Sequence, residues 1–385
     1  MAEFGGGPAW TRDAATGEWY LHSFLPSQPD LNWDEPAVES AMHEAMRFWL
    51  RRGVDGFRAD VIHKIGKAPD LRDNLGVFVG PGPNDRGRRF DEDWPTVHPR
   101  IRAMRRVLRS EGDRMMVGEV YVLDPEQLAP YVRSGRELDL AHNFHFLTLP
   151  WNADAFRAAI AADQHLLRPR GWPTWCLNNH DHSRVASRYP GEAAARLVGI
   201  MILTLRGTPF LFQGEELGLA DGVIPQESIV DPAGRDPERS PIPWAPPSVA
   251  GPGGGFSRAR PWLPLPPDAE QRNVSTEASN PTSVLALYRR LLALRRAQPT
   301  LRTGEMTLLK TSDRDLLAWR RVGRGSSFLV ALNLAERGAS ATAQELGGRL
   351  DGIVEVSSSM RGAGERIKGT SLELDPLAGV VIREC

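Results

Sequence analysis

The feature that most constrains this fold is a regular alternation of helix-like and strand-like segments. From Pro36 onward, Val38, Met42 and Met46 recur at helical spacing, and the apolar segment VDGF follows after Gly53. Helical periods that alternate with short apolar runs are typical of parallel βα units. The chain is therefore predicted to be an α/β protein built on parallel strands.

The alternation continues along most of the chain. It predicts strands at about 53–59, 115–120, 138–146, 173–178 and 207–213, and helices at about 98–110, 152–165, 191–206 and 281–297. A Pro- and Gly-rich stretch at 222–267 is longer than ordinary connections, and we expect it to cover a site. After Pro299, short strand-like runs predict a small antiparallel all-β domain.

Composition excludes several classes of partner. The chain has 385 residues with 47 Lys and Arg against 48 Asp and Glu, so bulk charge favours no nucleic acid. No run of 18 apolar residues exists, and the N-terminal segment MAEFGGGPAW has no leader pattern. Cys176 and Cys385 are too few for a disulfide framework. We predict a soluble, cytoplasmic protein with no membrane partner.

Three short motifs each place a carboxylate at the end of a strand-like run. They are DGFRAD ending at Asp60, VGEVY centred on Glu119, and NNHDHSR around Asp181. Parallel strands in a barrel present their C-terminal ends to one mouth, where remote residues can converge. Two carboxyl groups about 5–5.5 Å apart cleave a glycosidic bond with retention. The motifs therefore indicate glycosidic bond chemistry.

The first two acids have neighbours suited to different roles. Arg58, two residues before Asp60, could hold a nucleophilic carboxylate ionised, and the alternative is an ordinary strand-end salt bridge. Glu119 follows the apolar MMVG, where partial desolvation would raise its pKa and keep it protonated as an acid. The alternative for Glu119 is a solvated loop residue.

The third acid lies in a segment dense with hydrogen-bonding groups. Asp181 stands between His180 and His182 and could hold sugar hydroxyls. A metal site is the weaker alternative, because adjacent residues on an extended strand point to opposite faces and no further Cys or His cluster appears. The sequence predicts no metal site and no cofactor.

These motifs, in this order, resemble glycoside hydrolase family 13, the α-amylase family, and in particular its α-glucosidase and oligo-1,6-glucosidase branch. Other segments typical of that branch are FGGGPAWTRDAATGEWYLHSFLPSQPDLNW, GTPFLFQGEELGL, GRDPERSPIPW and YRRLLALRRAQP. The resemblance implies a (β/α)8 TIM barrel with a C-terminal antiparallel β-sandwich domain. It also implies a retaining mechanism with Asp60 as nucleophile, Glu119 as general acid/base and Asp181 as transition-state stabiliser.

The resemblance also implies contacts with the substrate. It places Arg58 beside the nucleophile and His180 on the sugar. Arg184 is a candidate sugar contact, with a structural salt bridge as the equal alternative. Phe144 is a candidate pocket wall, although core packing is favoured.

The chain departs from the family pattern at its start. Family members begin with three βα units, the third carrying an inserted domain, and the resemblance implies that this sequence lacks them. The resemblance then implies three parts, with 1–33 as the tail of the inserted loop-rich domain B, 34–299 as the C-terminal part of the catalytic barrel, and 300–385 as the all-β domain. Five strands are recognised where a closed barrel has eight. We therefore expect this polypeptide alone to have little or no turnover.

The resulting function is a retaining glycoside hydrolase (EC 3.2.1.-) that releases glucose from maltose- and isomaltose-type oligosaccharides. Val61 is similar to the α-1,6-preferring members, but α-1,4 bonds stay equally open as the target. One alternative is a transglycosylase or isomerase that acts on trehalose or sucrose. A second is a non-catalytic scaffold, which the presence of all three acids disfavours. Metal dependence and oligomeric state stay open.

Overall fold

The computed structural model describes residues 7–74, 90–167 and 171–385. The first residues of the family segment that begins at Phe4 lie outside the described residues. By contacts, the chain divides into two compact units, Met1–His145 with Asp163–Thr174, and Phe146–Ala162 with Trp175–Cys385. The three-part division from the sequence stays a prediction.

From α1 to β7, each strand is followed by one or two helices before the next strand, and after α11 the chain contains strands. The strands are β1 (Trp10–Arg12), β2 (Trp19–Leu21), β3 (Gly56–Ala59), β4 (Met115–Glu119), β5 (Leu140–His142), β6 (Thr174–Cys176), β7 (Thr208–Phe210), β8 (Glu305–Leu309), β9 (Leu316–Gly323), β10 (Ser326–Asn333), β11 (Ala339–Thr342), β12 (Leu350–Ser357), β13 (Arg366–Gly369), β14 (Ser371–Leu374) and β15 (Gly379–Glu384). The helices are α1 (Pro36–Arg51), α2 (Val97–Ser110), α3 (Pro125–Arg133), α4 (His145–Thr148), α5 (Ala153–Leu166), α6 (Val185–Arg188), α7 (Gly191–Thr204), α8 (Pro247–Ala250), α9 (Val274–Ser279), α10 (Val284–Ala297) and α11 (Pro299–Thr303). No helix in the described ranges is long and apolar enough to cross a membrane.

The first unit contains a parallel sheet in the order β3-β4-β5. Ala59 lies opposite Gly118 in this sheet, and Glu119 lies opposite His142. Helix α2 packs beside it because Val97, Ile101, Met104 and Leu108 recur at helical spacing and are buried. Since parallel strands end at the same edge, the residues that close β3 and β4 meet there.

A glycine lets the sheet pack closely next to Glu119. A β-carbon at Gly118 would lie 2.4 Å from the Cδ1 atom of Leu138, a distance that real contacts do not show. Leu138 is itself buried, so the neighbour has little room to move. The position just before the second acid therefore favours glycine for packing.

The second unit has a core around helices α7 and α10. Most of α7 is buried, and its Val198 and Ile202 are fully enclosed. Tyr288 and Leu291 of α10 belong to the same hydrophobic cluster. A helix that is apolar on all sides is typical of the interior of a large domain.

The chain ends in an antiparallel β domain within the second unit. Its six-stranded sheet has the order β13-β12-β15-β10-β9-β8, and β11 pairs with β14 in a second small sheet. Strand β9 alternates between two cores, because Leu317 and Trp319 join the helical cluster while Leu316 and Ala318 join the cluster shared with β11 and β14. This packing joins the two sheets into a sandwich.

The structure has strands and helices close to the predicted places, with the strands shorter than predicted. The five predicted strands become β3 to β7, of three to five residues each. Helix α3 was not predicted, because it has nine residues with Pro130 inside. Its start at Pro125 is capped by the Asp124 side chain, which accepts a hydrogen bond from the Glu126 amide.

Candidate active site

Arg58 joins the first two acids at the edge of the parallel sheet. Asp60 comes directly after β3, and Glu119 is the last residue of β4. The Nη1 atom of Arg58 donates a hydrogen bond to Asp60 Oδ1, and its Nη2 atom donates to Glu119 Oε2 at 2.8 Å. One guanidinium therefore holds two carboxyl groups side by side, as predicted from their strand-end positions.

The two acids differ in their surroundings. The Asp60 side chain is 70% exposed, whereas that of Glu119 is 11% exposed. Burial raises the pKa of Glu119 to about 7, and a hydrogen bond with Asp60 acts in the same direction, while the charge of Arg58 opposes them. Glu119 can therefore carry a proton near neutral pH, beside an exposed carboxyl group.

The residue after Asp60 has a left-handed backbone. Val61 has φ 43° and ψ 38°, a conformation that β-branched residues rarely adopt. Its amide donates a hydrogen bond to Glu119 Oε2 at 3.2 Å. Strain of this kind costs about 1–3 kcal/mol and persists where surrounding structure imposes it. Here it points a backbone donor at the buried acid.

We expect Val61→Gly to be more stable than Val61→Ala. Alanine keeps the β-carbon, whose left-handed penalty of about 1–2 kcal/mol glycine avoids. The glycine variant has the greater chain entropy in the unfolded state, and this offsets roughly 0.5–1 kcal/mol of its advantage in folding free energy. Urea unfolding of the two variants measures the difference. An alanine variant as stable as the glycine variant would show that residue 61 is not left-handed.

The third acid lies in a turn of the second unit. Strand β6 ends at Cys176, and Asp181 follows five residues later, between the bridged residues Asn179 and His182. The Asn179 Oδ1 atom accepts hydrogen bonds from the Asp181 amide at 3.0 Å and from His182 Nδ1 at 3.2 Å. The expectation of an extended strand here was wrong, because the Asn179 side chain stabilises a turn.

Two arginines of the 222–267 stretch contact Asp181. Arg235 donates to Asp181 Oδ1 at 2.7 Å, and Arg239 contacts the same oxygen at 3.2 Å. His180 Nε2 lies 3.3 Å from the other oxygen, Oδ2. Arg235 is fixed in turn by Asp231, at 2.6 Å. Asp181 is therefore held in a network of charged groups.

The sequence analysis missed both arginines. They belong to GRDPERSPIPW, which marks the family resemblance but carries no local sign of its contact partner. Arg235 and Asp181 are separated by 54 residues. The signal that could have found them is the pair of arginines four residues apart in a long loop expected to cover a site.

Two candidate substrate contacts have structural surroundings. Arg184 is 2% exposed, and its side chain donates to the backbone carbonyls of Gln213 and Glu238. Phe144 is also 2% exposed, with its ring centre 5.4 Å from that of Tyr121. These positions indicate a structural role for Arg184 through backbone carbonyls, in place of the expected salt bridge, and they favour core packing for Phe144. His180, by contrast, has half of its side chain exposed.

The structure thus groups the predicted residues in two places. Arg58, Asp60 and Glu119 form one cluster in the first unit, and His180 and Asp181 belong to the second unit. Within the described ranges, no group of three or more His, Cys, Asp or Glu side chains is arranged to hold a metal ion.

A barrel-type parallel sheet with paired acids at its strand ends is the arrangement of a carbohydrate-active enzyme class. The chain belongs to the alpha-amylase family, whose model of the alpha amylase catalytic domain matches residues 1–304. The family predicted from the three motifs is therefore confirmed.

Curated relatives carry names from the predicted branch. The oligo-1,6-glucosidase of Parageobacillus thermoglucosidasius is 31% identical over 375 residues, covering 86% of this chain and 66% of the relative. A probable alpha-glucosidase of Rhizobium meliloti is 34% identical over 361 residues, covering 87% of this chain and 65% of the relative. The chain spans about two-thirds of the length of these relatives.

Solved structures confirm the fold class. The trehalulose synthase MutB from Pseudomonas mesoacidophila superimposes with a TM-score of 0.87 at 28% identity, covering all of this chain and 75% of that chain. A mutant of MutB in complex with the substrate sucrose gives a TM-score of 0.88. The prediction of an alpha-amylase-family TIM-barrel fold with a C-terminal antiparallel β domain is confirmed.

Proposed function

We propose that this protein is a retaining glycoside hydrolase that cleaves terminal α-1,4 or α-1,6 glucosidic bonds and releases glucose from maltose- and isomaltose-type oligosaccharides. One observation carries the proposal, the pair of acids bridged by Arg58. Glu119 is buried with a pKa raised to about 7, and Asp60 beside it is exposed to an incoming sugar. An acid and a nucleophile need this difference.

The mechanism follows from the roles of the two acids. An oxygen of Asp60 attacks the anomeric carbon while Glu119 gives its proton to the leaving glycosidic oxygen, so that a glucosyl ester forms on Asp60. Glu119, now ionised, takes a proton from water, whose oxygen attacks the same carbon and breaks the ester. Two displacements retain the α configuration and regenerate both acids.

The proposed sugar contacts are described for each unit separately. In the first unit Arg58 lies beside the nucleophile, and in the second unit Asp181 and the exposed His180 have the donors and acceptors to bond sugar hydroxyls. Arg235 and Arg239 bind the Asp181 Oδ1 atom. They orient its carboxyl group. Arg184 and Phe144 are left out of the substrate contacts because both are buried in other contacts.

A second candidate is transfer of the glucosyl group to a sugar instead of water. The likeness to the trehalulose synthase MutB favours it. Both reactions share the ester on Asp60 and differ only in what the site admits next. Chromatography of the products from maltose, isomaltose, sucrose and trehalose separates them, because only hydrolysis converts each substrate entirely to its monosaccharides.

We also propose that the barrel lacks its first three βα units in this chain. In the described ranges the barrel strands number five, and β3 pairs with β4 alone. The edge position of β3 in the described residues supports the expectation of little or no turnover. The cytoplasmic location stays a prediction.

Both proposals are tested by the Asp60→Asn variant. We expect slow release of nitrophenol from p-nitrophenyl α-glucoside by the wild-type chain and only the spontaneous rate with the variant, because the amide cannot form the ester. Absorbance over several hours measures the release. The matched control is Asp55→Asn, at an exposed aspartate just before β3.

The outcomes separate the two ideas. Wild-type release equal to that of Asp60→Asn contradicts the hydrolase proposal for this chain. Rapid release with ordinary saturation kinetics overturns the incomplete-barrel proposal and supports the hydrolase.

A further inference from the structure

We propose that Arg184 is a positioning residue that locks the Asp181 turn to the loop carrying Arg239. Its contacts join three segments of the second unit. These are the turn at 179–184, residues 212–213 just after β7, and the loop at 236–240. The importance of this lock for catalysis rests on the proposed function. Its structural effect can be measured without turnover.

The first anchor is at the end of the turn. The Arg184 amide donates to Asp221 Oδ1 at 2.8 Å, and the hydroxyl of the preceding Ser183 donates to Asp221 Oδ2. The Asp221 amide in turn donates to Ser187 at 2.7 Å. Asp221 therefore fixes the backbone that leads out of the turn and places the Arg184 side chain.

The second anchor is the side chain itself. Arg184 Nη1 donates to the Gln213 carbonyl and Nη2 to the Glu238 carbonyl, both at 2.8 Å. The guanidinium stacks 4.6 Å from the centre of the Phe212 ring. A planar guanidinium that bonds two carbonyls and stacks on an aromatic ring has one favourable orientation. The side chain is a rigid link between the two loops.

Through Glu238, the Arg184 side chain is connected to the arginine that contacts Asp181. Glu238, whose carbonyl Arg184 holds, directly precedes Arg239 in the chain. Arg239 donates from Nε to the His180 carbonyl at 2.8 Å and from Nη2 to Asp181 Oδ1. The turn thus reaches the loop through Arg184 as well as through Arg235 and Arg239. Removing Arg184 takes away the buried one of these three links.

The burial of Arg184 indicates how the 236–240 loop would change if the guanidinium were removed. Burial lowers the pKa of Arg184, and the negative charges of Asp221 and Glu215 oppose this effect most strongly. Its donors nevertheless bond carbonyls of other segments, so the charge is not used in a simple ion pair. Loss of the guanidinium leaves the Gln213 carbonyl and the buried Glu238 carbonyl without that donor and should loosen the 236–240 loop.

Hydrogen exchange with mass spectrometry tests the lock in Arg184→Ala. We expect faster amide exchange, by at least tenfold, in peptides covering 179–188 and 229–240, with unchanged exchange in the antiparallel strands β9 and β10. Millimolar guanidinium chloride should restore the slow exchange, because it can fill the vacated site and bond both carbonyls. Ammonium chloride at the same concentration should not.

The matched control is Arg196→Ala. Arg196 also donates to two backbone carbonyls, those of Thr282 and Ser358, but contacts neither peptide. Its removal should leave 179–188 and 229–240 unchanged. Should Arg184→Ala fail to fold, Arg184→Lys keeps the charge with a single nitrogen and should show a smaller increase in the same two peptides.

Two outcomes would overturn the proposal. One is unchanged exchange at 229–240 in both Arg184 variants. The other is an increase spread equally over β9 and β10, which marks general destabilisation. Restoration of slow exchange by guanidinium alone is the result that a merely structural role would not produce. Since no arm uses turnover, failure of the hydrolase proposal would leave this result readable.

Discussion

Replacing Glu119 by Gln is expected to lower kcat/KM for maltose by about 100- to 10,000-fold relative to the wild-type chain, because the amide cannot protonate the leaving sugar. With p-nitrophenyl α-glucoside the expected loss is much smaller, since p-nitrophenol leaves readily as its anion. Glucose release and nitrophenol release, measured on the same protein samples, give both ratios.

The pH dependence of maltose hydrolysis and of stability provides a second test of the role of Glu119. Wild-type maltose hydrolysis should fall as the pH rises through about 7, where Glu119 loses its proton. The folded chain also holds this proton more tightly than the unfolded chain, whose ordinary value is 4.5. The stability that this group contributes is therefore full below about pH 4.5 and is lost as the pH rises through about 7. Glu119→Gln should abolish both changes.

A surface glutamate provides the control for this prediction. Glu126, exposed in the first turn of α3, becomes Gln without touching the Arg58 cluster. That variant should keep the wild-type ratio of maltose to nitrophenyl rates. Equal losses on the two substrates in Glu119→Gln would contradict the general-acid role, because removing an acid should matter most for the poorer leaving group.

The sequence was sufficient for the parts of the site that depend on local pattern. Short apolar runs after helical segments predicted β3 and β4, and the acid at the end of each followed directly. Because parallel strands end at one edge, two local observations were enough to place Asp60 next to Glu119. The apolar MMVG run also indicated the buried environment that raises the pKa of Glu119.

The parts that depend on distant contacts could not be predicted in the same way. The loop with Arg235 and Arg239 reaches Asp181 across more than fifty residues, and nothing in either segment specifies the pairing. The left-handed backbone at Val61 is also invisible, because valine is a residue that avoids it. Both features are imposed by tertiary structure on a local sequence that favours something else.

Arginines serve two different purposes in this chain. Arg58 is 40% exposed and holds two carboxyl groups, one exposed and one buried, at the edge of the parallel sheet. Arg321 is fully buried and donates to four backbone carbonyls, of Thr204, Thr300, Leu301 and Gly304. These carbonyls lie at the ends of α7 and α11, where the helix dipoles favour a positive charge. The first arginine serves the proposed chemistry, and the second stabilises the core.

Replacing Arg321 by Met is therefore expected to lower the free energy of unfolding by about 3 kcal/mol or more, since buried carbonyls lose their donors and no water can replace them. Burial lowers the pKa of Arg321 to about 9, so the guanidinium remains charged at neutral pH and keeps these bonds. Urea unfolding followed by tryptophan fluorescence measures the loss, because Trp319 lies in the same core cluster and strand.

The controls decide whether the four bonds or the side-chain volume carry this effect. Arg321→Lys keeps the charge but has one nitrogen in place of the fork, so it should fall between the wild type and Arg321→Met. Arg324→Met removes an exposed arginine between β9 and β10 of the same β domain and should leave the urea midpoint nearly unchanged. If Arg321→Met unfolded at the same urea concentration as Arg324→Met, the four bonds of the Arg321 guanidinium would not be what stabilises the ends of the two helices.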